Sequence, residues 1–417
     1  MTLVNTVANI EIGKTTVGSV KRGTGVLTDI TKTICPLIYN GIATDPSGGV
    51  RPCCVFDQRY NFRGDVKDYK TSKLWHDIES DFLEGKYHPG CHHCERQDQA
   101  GSSSKRTREI ENYKNKYKKE KIELEHLKSI GYDLVDLRLS NKCNLSCIMC
   151  NPKSSSLILE ETKNNQDTTM AHYKNIYDLT GYKDLTNPYT EENLEALTDC
   201  IQEGSRIYFT GGEPSIVKGV LKLLQTLIDT NMHEKVHIEF NSNFQTENPK
   251  FIELLKHFPR GHMMPSLDGV GLRAEYIRYP SNWDRIHKNI LHFLESCPGW
   301  KFHIAPTISI LSIFYLDELI EYADKNNMNL SFTNILWGPN YLNISILPQE
   351  YKDIAMNKLK KYSTPGIKNI ENYMYNKQPD MERLSACRTN LNKIDTIRGN
   401  SYHKSLPILK EMFDKCL

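Results

Sequence analysis

Asn141-Lys-Cys-Asn-Leu-Ser-Cys-Ile-Met-Cys-Asn-Pro152 places Cys143, Cys147 and Cys150 in a C-x3-C-x2-C array. The run before it, Leu134-Val-Asp-Leu-Arg-Leu-Ser140, alternates apolar and polar residues and reads as a strand. A helical stretch follows Pro152. The thiols therefore sit on a loop at the carboxyl end of a strand, where open α/β sheets keep their ligands. Three thiolates are too few to close a structural zinc site, which takes four ligands. They are also one short of the four cysteines that usually hold an iron–sulfur cluster, so one iron would be left without a protein ligand. Zinc or a chance grouping of thiols is the competing reading.

Downstream, Ile207-Tyr-Phe-Thr-Gly-Gly-Glu-Pro214 reads as a strand ending in two glycines, which let the backbone approach a ligand closely. Pro214 opens a helix from its first turn, with Ile216, Val220, Leu223 and Leu227 on one face. Glu213 is left at the strand's carboxyl end. Two further strand ends, Asn241-Ser-Asn243 and Ser266-Leu-Asp-Gly269, carry short polar side chains that can hydrogen-bond hydroxyls or a carboxylate. Arg278 has the planar donor fork suited to a carboxylate.

The cysteine array followed by Gly211-Gly-Glu-Pro214 resembles the radical S-adenosylmethionine (radical SAM) superfamily. The resemblance implies a [4Fe–4S] cluster on Cys143, Cys147 and Cys150, with its open iron chelated by the amino and carboxylate groups of SAM. It implies that Gly211, Gly212 and Glu213 receive the SAM amino group. Asn241, Ser242, Ser266 and Asp268 would bond ribose and carboxylate, Arg278 would stand near the carboxylate, and Met149 would flank adenine. The implied chemistry is reductive cleavage of SAM to a 5′-deoxyadenosyl radical that abstracts a substrate hydrogen atom. An electron donor of flavodoxin or ferredoxin type is implied as a partner.

Residues 131–340 alternate strands and helices, which predicts a parallel α/β domain. The strands are expected at 133–140, 205–210, 235–241, 263–267, 302–309 and 330–337, and by resemblance they match a partial (β/α)6 radical SAM barrel. Several are two-faced. Asp136 and Arg138 alternate with Val135 and Leu137, His237 and Glu239 with Ile238 and Phe240, and His303 shares a side with Thr307 and Ser309. A polar lumen follows, with Asp136, Arg138, His237, Glu239 and His303 as substrate-facing candidates; strands that simply meet solvent are the bland alternative. Residues 160–190 are polar and read as an inserted flap.

Residues 31–100 form a small cysteine-rich α+β unit. Ile42 to Cys54 reads as strand, turn, strand around Pro46 and Gly48-Gly49. Ser72 caps a helix through Leu83 that carries Leu74, Trp75, Ile78 and Phe82 at helical spacing. Pro89-Gly-Cys-His-His-Cys94 is a C-x2-C knuckle. The available ligands are Cys35, one of Cys53 and Cys54, Cys91 and Cys94, with His92 or His93 as substitutes, and chemistry alone leaves zinc and iron–sulfur even. The pattern is similar to the SPASM/twitch module, which implies an auxiliary [4Fe–4S] cluster. That module usually follows the catalytic core, whereas here it precedes it. Cys53 is preferred over Cys54 because it keeps the Gly-x-Val-x-Pro-Cys wording.

The rest of the chain is plainer. Residues 1–30 read as an edge hairpin or loose arm. Residues 101–130 read as a charge-laced, solvated helical linker, with a basic patch for RNA or peptide as the minority reading. Residues 341–417 read as a helical extension without an interpretable motif. A hydrophobic content of 39% and a net charge of +2 predict neither a nucleic-acid nor a membrane partner. No signal peptide and no apolar run of spanning length are apparent, so a cytoplasmic protein is expected. Grouped cysteines in such a chain favour metal or cluster ligation over disulfides. The SPASM/twitch resemblance leans toward a peptide or protein substrate. Nucleotide, tRNA or DNA chemistry and a non-catalytic zinc or iron–sulfur binding module are the alternatives.

Overall fold

The computed structural model describes residues 7–10, 17–21, 27–29, 33–99, 101, 103–180 and 185–417. It is an α/β fold with a mostly parallel central sheet, consistent with the expected partial barrel. The chain divides into two compact units. The first takes Met1–Leu139, Pro188–Tyr208 and Lys235–His237; the second takes Ser140–Asn187, Phe209–Glu234 and Ile238–Leu417.

In the first unit, β1 (Val7–Ile10), β2 (Val17–Lys21) and β3 (Leu27–Asp29) form an antiparallel sheet where a hairpin or arm was expected. The remainder of that arm lies outside the described residues. β4 (Gly41–Thr44) and β5 (Val50–Arg51) pair antiparallel around the expected turn, in which Gly48 takes a φ of +82° that suits glycine. β6 (Leu134–Leu137) then pairs parallel with β4, Ile42 opposite Val135 and Ala43 opposite Asp136. The cysteine-rich segment thus lends a strand to the sheet beside the strand that leads into the three-cysteine loop. β7 (Arg206–Phe209) is the neighbour of β6 on its other side.

The helix Lys73–Leu83 starts where expected, with Ser72 Oγ accepting from the Trp75 N–H at 3.2 Å. Trp75 Nε1 donates to the Ile38 carbonyl at 3.0 Å, and Ile78 and Phe82 join Ile34, Tyr39, Phe56, Tyr113 and Leu127 in one core. Each such side chain contributes about 1.5–3 kcal/mol on burial. The linker helix Lys105–Tyr117 departs from its solvated expectation. It buries Arg106, Glu109 and Tyr113. Its charges tolerate this because they are paired: Glu109 with Lys105 and Arg206, each at 2.8 Å, and Arg106 with Asp98 at 2.7 Å.

β8 (His237–Ser242), β9 (Gly261–Pro265) and β10 (Lys301–Ile304), all but His237 in the second unit, run parallel side by side. β8 alternates as predicted, burying Ile238 and Phe240 and leaving His237, Glu239 and Asn241 half-buried. The expected strand 302–309 is broken at Pro306, which has no N–H for a ladder. It continues as β11 (Thr307–Ile308). The expected strand 330–337 is likewise two short pieces, β12 (Asn329–Leu330) beside β10 and β13 (Asn334–Ile335) beside β11.

The helical stretch expected after Pro152 is the helix Ser156–Asn164, and the expected flap at 160–190 holds its end and a second helix, Ala171–Thr180. Ile158, Thr162, Tyr173 and Tyr177 are buried, a face whose Thr and Tyr disguised its periodicity. The C-terminal helices Gln349–Leu359, Ile367–Tyr375, Met381–Arg398 and Pro407–Cys416 share a core with Ile148, Ile158 and Tyr173. Among the described residues, no helix is long and apolar enough to cross a membrane.

Candidate functional site

The loop 141–152 is pinned from several sides. Ser156 Oγ bonds both the N–H and the carbonyl of Cys143, each at 3.2 Å, and Ser155 Oγ donates to the Leu145 carbonyl at 2.7 Å. The Ile148 N–H donates to the Ile277 carbonyl at 2.9 Å. Burial pushes the Cys143 thiol well up and the Cys150 thiol up to about 12. It also raises Cys147, against which the Arg278 charge acts. Buried thiols of this kind become thiolates only when a cation compensates them. Among the described residues, no three His, Cys, Asp or Glu side chains close on a single metal ion. In a four-iron cluster, by contrast, each thiolate ligates its own iron, and soft sulfur donors suit it.

The Gly-Gly-Glu strand end is stitched to this loop. The Gly212 N–H donates to the Ser140 carbonyl at 3.0 Å and the Glu213 N–H to the Lys142 carbonyl at 2.8 Å. A Cβ on Gly212 would stand 2.1 Å from the Lys142 oxygen, and Gly211 has a φ of +113°. Gly212 is therefore required by the approach of the cysteine loop and Gly211 by its backbone conformation, not only by a ligand. Glu213 is 2% exposed. Its carboxylate accepts from Ser215 N–H and Oγ, from Ser242 Oγ and from the Asn243 N–H at 2.7–3.1 Å. Burial raises its pKa, and those donors oppose the rise. These bonds tie the end of β8 to the turn that carries Glu213.

Asp268, expected to meet ribose or carboxylate, is fully buried and engaged within the protein. It accepts from the Thr307 N–H at 2.7 Å and pairs with Arg278 Nη2 at 2.7 Å. Arg278 turns its other terminal nitrogen to the Cys147 sulfur at 3.7 Å. Burial works against its charge, but Asp268 and Cys147 outweigh burial and hold its pKa above the usual value. Asn241 and Ser242 end β8, and the Ser266 N–H bonds the Ser242 carbonyl at 2.7 Å, so these strand ends do converge. Met149 is half-buried against the second unit's core.

Sequence reasoning missed the outer brace of the loop. Tyr173 donates to the Cys147 carbonyl at 2.9 Å, His172 Nε2 meets the Cys150 carbonyl at 3.1 Å, and Tyr341 bonds His172 Nδ1. Asn144 accepts from Asn243 Nδ2 at 2.8 Å. Arg398 reaches Tyr173 from the C-terminal helix. Apart from Asn144 and Asn243, none of these belongs to a local motif. The one available signal was an apolar period through 156–180 that demanded a partner.

The second thiol group lies in the first unit. Cys35, Cys53, Cys91 and Cys94 line one cavity of about 30 Å³ with Ile38, Phe56, Ile78, Phe82, His88, Lys105 and Arg106. Burial raises Cys35 to about 12 and pushes Cys53 and Cys91 further up. Cys54 does not line this cavity; burial and the Asp136 charge beside it raise its thiol. The geometry thus separates the adjacent pair that the sequence left open. His92 Nδ1 meets the Pro89 carbonyl, and neither it nor His93 lines the cavity. Asp136 is buried on β6, with Arg138 Nε 3.6 Å from it. His303 bonds Ser331 Oγ at 2.8 Å. All twelve cysteines are free thiols.

Residues 137–324 match the model of the Radical SAM superfamily. The chain carries a radical SAM domain, the domain of a class of SAM-dependent enzymes. The match takes in the three-cysteine loop, Gly211 to Glu213, Asp268 and Arg278, and ends before the helix that bears Arg398. No curated protein matches the chain. Among solved structures, anSMEcpe with bound AdoMet is similar at 15% identity, over 59% of this chain and 62% of that one, with a TM-score of 0.38. Streptococcus suis SuiB bound to its precursor peptide SuiA is similar at 14% identity, over 73% and 60%, with a TM-score of 0.33. TYW1 with a lysine–pyruvate adduct is similar at 11% identity, over 56% and 72%, with a TM-score of 0.28. This chain thus spans about three fifths of the length of the first two, 62% and 60%.

Proposed function

We propose that this chain is a radical SAM enzyme that abstracts a hydrogen atom from a side chain of a peptide or protein. One observation carries the reading: three thiols on one loop of a radical SAM domain, with that loop's backbone hydrogen-bonded to a Gly-Gly-Glu strand end. Cys143, Cys147 and Cys150 would hold a [4Fe–4S] cluster and leave one iron for SAM. When bound, that cluster supplies the electron that cleaves SAM to methionine and the 5′-deoxyadenosyl radical.

The chain's own residues position and shield. Arg278 sets a positive charge on the Cys147 sulfur, Glu213 and Asp268 lock the strand ends, and the packed helices exclude water. Cys35, Cys53, Cys91 and Cys94 would hold an auxiliary cluster, with zinc the other group that four thiols accept. The resemblance of that unit to SPASM/twitch supports a peptide substrate. Free thiols and low-potential chemistry suit a reducing cytoplasm and a flavodoxin- or ferredoxin-type donor.

The test is anaerobic reconstitution, with iron and zinc counted and 5′-deoxyadenosine measured under dithionite. About eight irons per chain with deoxyadenosine formed is the expected result. Zinc alone and no deoxyadenosine would overturn the proposal. Salt-sensitive RNA binding would move the substrate class to nucleic acid.

A further inference from the structure

We propose that Arg398, the last residue of the helix Met381–Arg398, is a positioning residue of the three-thiol site that raises the reduction potential of the cluster held there. The inference rests on the function proposed above.

Arg398 is anchored on several sides. Its Nε and Nη2 form a two-point pair with Glu161 at 2.9 and 3.0 Å, and its side chain is 3% exposed against 13% for Glu161. Nη2 also reaches Tyr173 Oη at 3.5 Å, and Tyr173 Oη donates to the Cys147 carbonyl at 2.9 Å. The guanidinium lies over the Tyr279 ring, 5.1 Å from its centre, next in sequence to the Arg278 that donates to the Cys147 sulfur. Nη1 is buried and makes no hydrogen bond within the protein.

A buried guanidinium is costly, and its retention beside one carboxylate calls for a further negative partner. Of the pair, Arg398 is the member that reaches Tyr173 and through it the Cys147 carbonyl, so the positive charge stands on the Cys147 side. A cluster on three thiolates gains negative charge when it takes up one electron. A positive field on one of those thiolates favours the reduced form. Tyr173 hands the same polarity to the loop backbone through a fixed hydrogen bond.

The two-point geometry also separates charge from bracing. Removing Arg398 strips the positive charge and leaves Glu161 unbalanced, so the potential falls. Neutralising Glu161 leaves Arg398 unbalanced, so the potential rises. A residue that only braced the loop would give no such reversal of sign.

The experiment is a dithionite redox titration of the reconstituted holoenzyme, following by paramagnetic resonance the cluster signal that SAM perturbs. Arg398→Gln is expected to lower the ratio of reduced to oxidised cluster at fixed potential about tenfold, a shift of about 59 mV for a one-electron couple. Arg398→Lys should retain most of the parent value, and Glu161→Gln should shift it the opposite way. Arg398→Gln with full iron and an unchanged midpoint would overturn the inference. So would a Glu161→Gln midpoint that is unmoved or moves downward, which decides the matter if Arg398→Gln loses its iron. A parent protein with no reducible, SAM-sensitive cluster overturns the proposed function and this inference together. A normal parent with unshifted variants overturns this inference alone.

Discussion

The thiols of Cys35, Cys53, Cys91 and Cys94 face one apolar hollow walled by Ile38, Phe56, Ile78 and Phe82, whereas those of Cys143, Cys147 and Cys150 sit among the ends of strands. The first group has as many donors as a closed site needs, and the exposed surface of its hollow is mostly apolar although His88, Lys105 and Arg106 also line it. The second group has one donor too few, and around it gather Arg278, Asp268, Glu213 and Ser242. On the proposed function, the difference is that between a closed cluster site and a reactive one. A closed centre is walled by side chains that repel water, while a reactive one is framed by paired charges that hold an unfinished coordination sphere in place.

The comparison can be broken most directly at the open site. Changing Cys143, Cys147 and Cys150 together to Ala is expected to abolish 5′-deoxyadenosine formation while leaving the iron of the other group bound. Retained SAM cleavage in that variant would remove the distinction altogether. The closed site is probed by Cys35→Ala with Cys91→Ala, for which a loss of about four irons per chain is expected. Cys54→Ser should keep the full complement, because its thiol lies beside Asp136 and not in the cavity. Equal losses from Cys54 and Cys53 variants would show that the hollow is not the ligand set.

A smaller effect sharpens the framing of the open site. Gly212→Ala drives a methyl group into the Lys142 carbonyl, 2.1 Å away, so the cysteine loop must shift. A destabilisation of about 2 kcal/mol is expected in thermal unfolding, together with weaker SAM binding by calorimetry. An unaltered SAM affinity would mean that the stitch between strand end and loop carries no weight.

Local sequence carried the motif residues and most of the strands. C-x3-C-x2-C after an alternating run, Gly-Gly-Glu-Pro at a strand end and Ser72 before a helix are short-range patterns, and each depends on steric and capping rules that act over a few residues. The breaks at Pro306 and between β12 and β13 were less legible, since an apolar run does not say where its ladder partner stops. The helix after Pro152 is legible, but the helix at 171–180 inside the expected flap is not, because Tyr173 and Tyr177 count as polar until a core covers them.

What the sequence by itself determined is which thiols are grouped and which strand ends carry polar residues. Chain connectivity alone sets those spacings. Only the tertiary structure decided how they are used. It separated Cys53 from Cys54, turned Glu213 and Asp268 inward onto protein donors, and brought Arg398 beside Tyr173 across 225 positions of sequence. The physical reason is that burial makes every polar group find a partner, and the partner nearest in space is seldom nearest in the chain.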